Sequence, residues 1–92
     1  MAELKQPDSL PDSLKPIWAE TINQVYQSIG AAGLEALCAQ IWRMREARQR
    51  IDDEGLVVAD SRGAPVPHPA IAIERAAQVE VRAWLAKFGV GQ

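Results

Sequence analysis

The sequence predicts a mainly α-helical, single-domain, oligomeric protein: three helices, with one short β-hairpin between the second and third. Apolar residues recur at steps of three and four through most of the 92-residue chain. That helical period is interrupted once, between Gly55 and Pro69, by a β-branched run and a cluster of turn residues. A chain of this length forms one small domain with a modest core, and oligomerisation is a common way for such a domain to bury more surface.

The longest predicted helix covers residues 34–55 and organises the rest of the chain. Its apolar seam consists of Leu34, Leu37, Ile41, Met44 and Ile51, widened by Cys38 and Trp42. Its charged side carries Arg43, Glu46, Arg50 and Asp53. Gly55 can adopt the left-handed conformation that ends a helix. A seam of this length requires apolar partners, which the other helices or further copies of the chain would supply.

The first predicted helix begins at Asp12 or Ser13 and runs to Ile29. Its buried stripe is expected to contain Leu14, Trp18, Ile22, Val25 and Ile29. Residues 1–12 are expected to be a flexible N-terminal segment, which leaves 13–92 as the helical domain. The join 30–33, Gly-Ala-Ala-Gly, is short and makes the first two helices neighbours. A helix–turn–helix is an alternative here, although residues 34–37 lack the polar start of a recognition helix.

After Gly55 the pattern becomes extended. Residues 56–58 are apolar and mostly β-branched, 60–63 form a turn signal, and 64–66 can return beside the first strand. The third helix is predicted to begin at Pro69 or Ala70 and to end at Phe88. Its inward face is expected to hold Ile73, Ala77, Val81, Trp84, Leu85 and Phe88.

Composition limits the function classes. Ten basic against twelve acidic residues give a net charge of −2, which argues against a chain-wide nucleic-acid or membrane surface. The N-terminus lacks an apolar leader, and no apolar run approaches the length of a membrane span, so a cytoplasmic location is expected. The single cysteine, Cys38, lies in an apolar pattern and is expected to be a buried, unreactive thiol.

No residue pattern in the chain predicts catalysis. His68 is the only histidine and stands between two prolines, so it is expected to be a turn or cap residue. The carboxylates at 52–54 are consecutive on a helix and point in different directions, which favours a solvated helix end over a cation site. The sequence therefore predicts a protein that is not an enzyme, with no cofactor and no metal site.

Two sets of residues are candidates for binding. The candidate DNA-binding arginines are Arg43, Arg45, Arg48, Arg50 and Arg62, with Lys5 and Lys15 as weaker additions. The simpler interpretation is that the arginines pair with Glu46, Asp52 and Glu54 and keep the helix soluble. The candidate oligomer-interface residues are Ile41, Trp42, Val81 and Trp84, because tryptophan in an apolar stripe commonly anchors a core or an interface.

The ordered set of features over residues 10–89 resembles the family of phage terminase small subunits. The resemblance rests on Leu37, Cys38, Trp42, Arg45, Gly55, Gly63, Pro69, Ala70 and Gly89. It implies a non-enzymatic component of viral DNA packaging that assembles into a homo-oligomeric ring. Its implied partners are double-stranded viral DNA and the terminase large subunit, in the cytoplasm of the host cell. The alternative is a small helical adaptor or antitoxin-like protein that binds another protein and not DNA.

Overall fold

The computed structural model describes residues 4–91, in which three α-helices accompany one two-stranded antiparallel hairpin. The elements are α1 (Lys15–Thr21), α2 (Gly30–Glu54), β1 (Val57–Ala59), β2 (Pro65–Pro67) and α3 (Ala70–Phe88). The hairpin lies between α2 and α3, so the predicted single domain of three helices and one hairpin is confirmed, while its oligomerisation stays a prediction. The chain is elongated, with principal extents of 57 × 28 × 17 Å.

The prediction of one continuous helix to Ile29 is wrong. α1 ends at Thr21, and two short 3₁₀ turns at 22–24 and 27–29 flank Val25, which is extended with φ −129° and ψ 154°. Val25 forms an antiparallel bridge with Gly89, and the Tyr26 amide donates to the Phe88 carbonyl oxygen at 2.8 Å. The backbone leaves the helix because the end of α3 supplies these hydrogen bonds, and the bridged residues, 25 and 89, are 64 positions apart in sequence.

α2 begins earlier than predicted. The segment 30–33 forms its first turn rather than a join between helices. Gly30 has φ +75°, a conformation that glycine adopts without the Cβ penalty, and it reverses the chain between the preceding 3₁₀ turn and α2. The two alanines that follow are strong helix formers, and Gly33 after them lowers the helix propensity without ending the helix.

The main core, which we call the large cluster, lies between the N-terminal segment, α1, the first half of α2 and the second half of α3. Its buried members are Leu10, Leu14, Ile17, Trp18, Val25, Ile29, Leu34, Leu37, Cys38 and Ile41. Leu34 and Leu37 are completely buried, and each contributes about 1.5–3 kcal/mol by leaving water. Leu10 and Leu4 pack here as well, whereas residues 1–3 of the predicted flexible segment lie outside the described residues.

The hairpin agrees with the sequence prediction. Val58 pairs with Val66 at its centre, between the flanking pairs 57–67 and 59–65. Asp60 closes the turn: its backbone amide donates to the Ala64 carbonyl oxygen, and its carboxylate accepts from the amides of Arg62 and Ala64. Gly63 has φ +82°, which fits the glycine in the predicted turn.

α3 has the predicted bounds, but near its start the buried position is residue 74 and not the predicted residue 73. Ile73 was expected inside and is 51% exposed, whereas Glu74 is only 9% exposed. The Arg48 side chain from α2 reaches across and binds both Glu74 carboxylate oxygens, so burial of a charge at this position is compensated. A second and much smaller core, the small cluster, contains Ala47, Ile51 and Ala70.

Candidate nucleic-acid interface

Arg48 is held by carboxylates of the chain. Its Nε donates to Glu74 Oε2 at 2.8 Å, its Nη2 donates to Oε1 at 2.6 Å, and Nη1 lies 3.4 Å from Asp52 Oδ1. The bidentate hydrogen bonds from Arg48 hold the pKa of Glu74 below its ordinary range and raise the pKa of Arg48 itself. This arginine therefore joins α2 to α3, and its positive charge is already matched by two carboxylates of the chain.

Arg45 and Arg50 also pair with carboxylates, but these ion pairs are exposed to solvent. Arg45 Nη2 donates to Glu20 Oε2 at 3.0 Å, and Arg50 Nε donates to Glu54 Oε2 at 2.9 Å. The four side chains are between 45% and 65% exposed. Ion pairs of this kind contribute little and exchange with solvent ions, so both arginines stay accessible to a phosphate.

The simpler interpretation of these arginines, pairing within the chain, is confirmed for Asp52 and Glu54. The third expected partner, Glu46, forms no ion pair within residues 4–91. Two partners were missed, Glu20 and Glu74, because they lie 25 and 26 residues from Arg45 and Arg48 in sequence. No local spacing rule connects residues so far apart.

Arg43 and Arg62 differ from the other candidates because neither has a carboxylate oxygen within 4.0 Å among residues 4–91. Arg62 occupies the exposed turn of the hairpin, where Asp60 is already engaged by two backbone amides. Lys15 pairs with Asp12 at 2.7 Å, while Lys5 is exposed. One unpaired positive charge of the predicted set is thus at the hairpin turn, and another is on α2.

Sequence reasoning overlooked two arginines on α3. Arg75 and Arg82 are exposed, and within the described residues neither has an ion-pair partner. They are seven residues apart, two helical turns, on the side of α3 opposite the buried Ala77. Their seven-residue spacing, which places both on one side of a helix, could have identified them from the sequence. The prediction chose the arginines of the second helix because they are more densely clustered.

A groove of about 380 Å³ opens between the second half of α2 and the start of α3. Its lining consists of Trp42, Arg43, Glu46, Ala47, Arg50, His68, Pro69, Ala70 and Ile73. Trp42 is 38% exposed and Ile73 51% exposed, so two large apolar side chains face solvent here. The surface between α2 and α3 therefore combines apolar contact area with charged side chains at its edge.

His68 connects the hairpin to both long helices. Its Nδ1 accepts from the Ala70 amide at 2.9 Å, which caps α3, so Nε2 carries the proton and donates to Glu54 Oε1 at 3.1 Å. Its own amide donates to the Leu56 carbonyl oxygen at 2.8 Å. The hydrogen bond from His68, followed by the one from Arg50, lowers the pKa of Glu54. The histidine has the structural role that the sequence predicted for a turn or cap residue.

The four candidate interface residues occupy different environments. Ile41 is buried in the large cluster, and Val81 and Trp84 pack against that cluster from α3 while staying half-exposed. Trp84 stacks on Phe88 with ring centroids 5.7 Å apart. Trp42 has the largest exposed fraction of the four, 38%. The role of these residues in assembly stays a prediction.

Other potential sites are accounted for by packing. Cys38 is fully buried, and burial, with a smaller effect from Glu35, raises its thiol pKa to about 11, which leaves it unreactive at neutral pH. Within residues 4–91, no three His, Cys, Asp or Glu side chains converge as metal ligands would. No helix in this described part of the chain has both the length and the apolar content needed to cross a bilayer.

Comparison with known proteins gives one family match. The model of the family described as "Phage terminase, small subunit" matches residues 15–90. This range includes all three helices and leaves out the residues before α1. A search of curated proteins and a search of solved structures found no match. The matched range is nearly the whole chain, and it contains the hairpin and every candidate arginine.

Proposed function

The chain belongs to the family of phage terminase small subunits, and we propose that it is a non-catalytic, oligomeric DNA-recognition component of viral DNA packaging. The observation that carries this proposal is the family match across residues 15–90. The partners are double-stranded viral DNA and the terminase large subunit, whose activity the small subunit would regulate. The expected site of action is the cytoplasm of the infected host cell.

The first DNA contacts proposed here are arginines that have no ion-pair partner within residues 4–91. Arg62 at the hairpin turn is the strongest of the sequence candidates. Arg75 adds a second cation, five residues after the start of α3 and therefore near the end of that helix that follows the hairpin. Arg45 and Arg50 are secondary contacts, because their exposed carboxylate partners can yield to a phosphate. Arg48 is excluded from the proposal, since its charge is already matched by Glu74 and Asp52.

Assembly would make these few contacts sufficient. A chain with net charge −2 cannot hold DNA by its overall field, but identical weak patches repeated in an oligomer bind together through a high effective concentration. Each phosphate that is neutralised releases counterions, so binding should fall steeply with salt. DNA binding is therefore expected to require oligomerisation as well as the arginines.

The test is a fluorescence-anisotropy titration of duplex DNA at about 50 mM and about 200 mM salt, a range over which the affinity of a phosphate-binding protein falls strongly. The parent should bind at the lower salt and lose most of its affinity at the higher one. Arg62→Glu/Arg75→Glu should weaken binding by at least about tenfold, because two phosphate contacts become repulsive. Arg82→Glu, two helical turns farther from the hairpin than Arg75, changes the charge of an exposed arginine on the same face and serves as the control.

Two outcomes would contradict the proposed surface or the function. Parent binding that ignores both salt and the Arg62/Arg75 substitutions would exclude this surface. Absence of duplex binding by a fully assembled parent would instead favour the adaptor alternative. Light scattering separates the two functions further: a large closed oligomer supports the terminase role, and a monomer or an isolated dimer supports the adaptor.

A further inference from the structure

The hairpin has one blocked edge and one open edge. In an antiparallel pair, every second residue turns its backbone N–H and C=O toward the partner strand, and the residues between turn these groups outward. The alternation is established by two backbone hydrogen bonds, which join residue 56 to 68 and residue 60 to 64. The backbone groups of Val57 and Ala59 on β1 therefore point outward, away from β2.

Prolines block the outer edge of β2. Pro67 pairs with Val57 and Pro65 with Ala59, so both outward positions of β2 lack an N–H donor. On β1 the outward residues keep their donors, and no hydrogen bond within residues 4–91 uses their amides or carbonyl oxygens. We call these outward groups of Val57 and Ala59 the open edge. An unpaired strand edge is a template for another strand, and proline, which commonly protects such edges, is present on one side of this hairpin only.

The open edge borders an exposed apolar face. Because side chains alternate along a strand, this face carries Val57, Ala59, Pro65 and Pro67. All four residues are exposed, and Val57 is 60% exposed. A two-stranded hairpin is only marginally stable in water, and a third strand with apolar side chains on this face would cover part of it. The hairpin thus has unmatched backbone groups and uncovered apolar side chains at the same place.

We propose that the open edge binds an extended segment of another protein, which adds to β1 as a third, antiparallel strand. The residues of this segment opposite Val57 and Ala59 hydrogen-bond to them, and their side chains join the apolar face, so these residues are apolar and β-branched. The residues between them are polar. Under the proposed function the partner is the terminase large subunit, and the inference rests on that function for this identity alone.

Charge sets the direction of the segment. The end of α2 that leads into β1 carries the carboxylates at 52–54. Asp53 accepts a hydrogen bond from Gln49 but has no ion-pair partner within residues 4–91. An antiparallel segment has its C-terminal end beside these carboxylates, where a lysine or arginine of the segment is complementary. The partner segment is therefore a short strand of alternating apolar and polar residues that ends in a basic residue.

Segments of a second copy fit the open edge less well. The outer edge of its β2 has prolines at both outward positions, and its residues before α1 are held in the large cluster by Leu10 and Leu14. Its own β1 is three residues long, and pairing of two β1 strands would join copies only in twos. A segment of a different protein has none of these restrictions and can bind every copy in a larger oligomer.

The test uses a synthetic peptide, Thr-Val-Thr-Val-Thr-Val-Lys, with N-methyl groups on its threonines. These groups block one edge of the peptide, so it cannot stack on itself, while its valines can still pair with the open edge. At millimolar peptide, the amides of Val57 and Ala59 should exchange with solvent at least about tenfold more slowly than in the free protein. The His68 amide, which already donates to Leu56, is the reference for general stabilisation of the hairpin.

A matched pair of variants isolates one backbone donor. Ala59→Pro removes an outward N–H and no hydrogen bond of the hairpin, as Pro65 does on the opposite strand. It should weaken peptide binding about tenfold in an NMR titration, because one hydrogen bond is lost and the proline ring contacts the added strand. Ala59→Val keeps the N–H and should bind within about threefold of the parent. A peptide with its lysine moved to the first position should bind about threefold more weakly.

Three results would overturn the proposal. The first is exchange at Val57 and Ala59 that the peptide does not slow in the parent, which decides the matter even if Ala59→Pro does not fold. The second is equal peptide affinity for Ala59→Pro and Ala59→Val. The third is a lower oligomeric mass of Ala59→Pro without peptide, which would assign the open edge to a second copy.

Duplex binding tests the proposed function separately, because Arg62 and Arg75 are unchanged in these variants. If the peptide does not bind while the parent binds duplex DNA, the open-edge contact is wrong and the proposed function stands. If the peptide binds a parent that does not bind duplex DNA, the open-edge contact stands and the adaptor alternative is favoured.

Discussion

The two ends of this elongated protein are stabilised by different interactions. The end that holds the large cluster buries aliphatic and aromatic side chains from the N-terminal segment, α1, α2 and α3. The hairpin end has a small cluster of two alanines and one isoleucine, and it depends on polar contacts, the Arg48–Glu74 pair and the His68 hydrogen bonds. Burial is non-directional and tolerates repacking, whereas polar contacts require particular geometry.

This difference locates the surfaces available for function. A small core at the hairpin end leaves Trp42, Leu56 and Ile73 exposed, and at the other end Tyr26 and Val90 are exposed as well. The same end carries the Arg62 turn and the groove. Regions with few buried apolar contacts open at lower free energy than the core, which suits segments that adapt to a partner. The large cluster then contains most of the buried apolar side chains, and the first two proposed DNA contacts, Arg62 and Arg75, belong to the hairpin and the start of α3.

The largest expected effect comes from core deletion. Leu37→Ala should lower the free energy of unfolding by about 2–5 kcal/mol, because Leu37 is completely buried and leaves a cavity. Ile51→Ala in the small cluster should fall at the lower end of that range, since the hairpin end can collapse or admit water. Urea unfolding measures both, with exposed Leu56→Ala as the control. An equal loss at both sites would contradict the comparison between the two ends.

The next effect concerns the ion pair between α2 and α3. Arg48→Met should destabilise the protein at neutral pH more than Arg50→Met does, because it leaves the 9%-exposed Glu74 without its partner, whereas Glu54 stays hydrated. Thermal unfolding of both variants and the parent at pH 7 measures this. Equal melting temperatures for the two variants would show that the Arg48 pair contributes no more than a surface pair.

The same substitution has a pH signature. Arg48 lowers the folded-state pKa of Glu74 from its ordinary value of 4.5, so this stabilisation is present above that value and is lost as pH falls through the folded-state pKa. The melting temperature of the parent should therefore fall more on acidification below about pH 4.5 than that of Arg48→Met. A constant difference between the two proteins from pH 7 to pH 3 would contradict this prediction.

A smaller effect is expected at the hairpin junction. His68→Ala removes the acceptor for the Ala70 amide and the contact with Glu54, and it should cost about 1 kcal/mol, as loss of a helix cap does. Amide exchange should accelerate mainly in the hairpin and in the first turn of α3. His68→Asn keeps a capping acceptor and should restore part of the stability. Exchange that accelerates equally in the large cluster would show that the junction is not a local unit.

The smallest effect concerns Gly33 in α2. A Cβ at this position would lie 2.9 Å from Ile29 Cγ1 and 3.4 Å from Trp84 Cζ3. Gly33→Ala should gain about 1 kcal/mol of helix propensity and lose slightly more through this crowding, for a net loss under about 1 kcal/mol. Tryptophan emission should shift as Trp84 moves. A clear stabilisation would show that the large cluster adapts more readily than its packing suggests.

The sequence by itself determined the element types, the hairpin and the bounds of α3. These depend on local signals: the apolar period of α2, the glycine at position 55, the turn at 60–63, and the proline before Ala70. Each signal acts over a few residues, so its physical basis is visible in a short window of sequence. The candidate arginines of α2 were recognisable for the same reason, as was the capping role of His68.

Tertiary structure decided the rest. Val25 leaves the helix because the end of α3 offers it backbone hydrogen bonds, and Glu74 replaces Ile73 inside because Arg48 reaches it from α2. The same kind of long-range pairing determines which arginines keep an unmatched charge. Residues 25 or more positions apart are brought together by packing of whole helices, and the free energy that selects these partners exists only when the helices are in place.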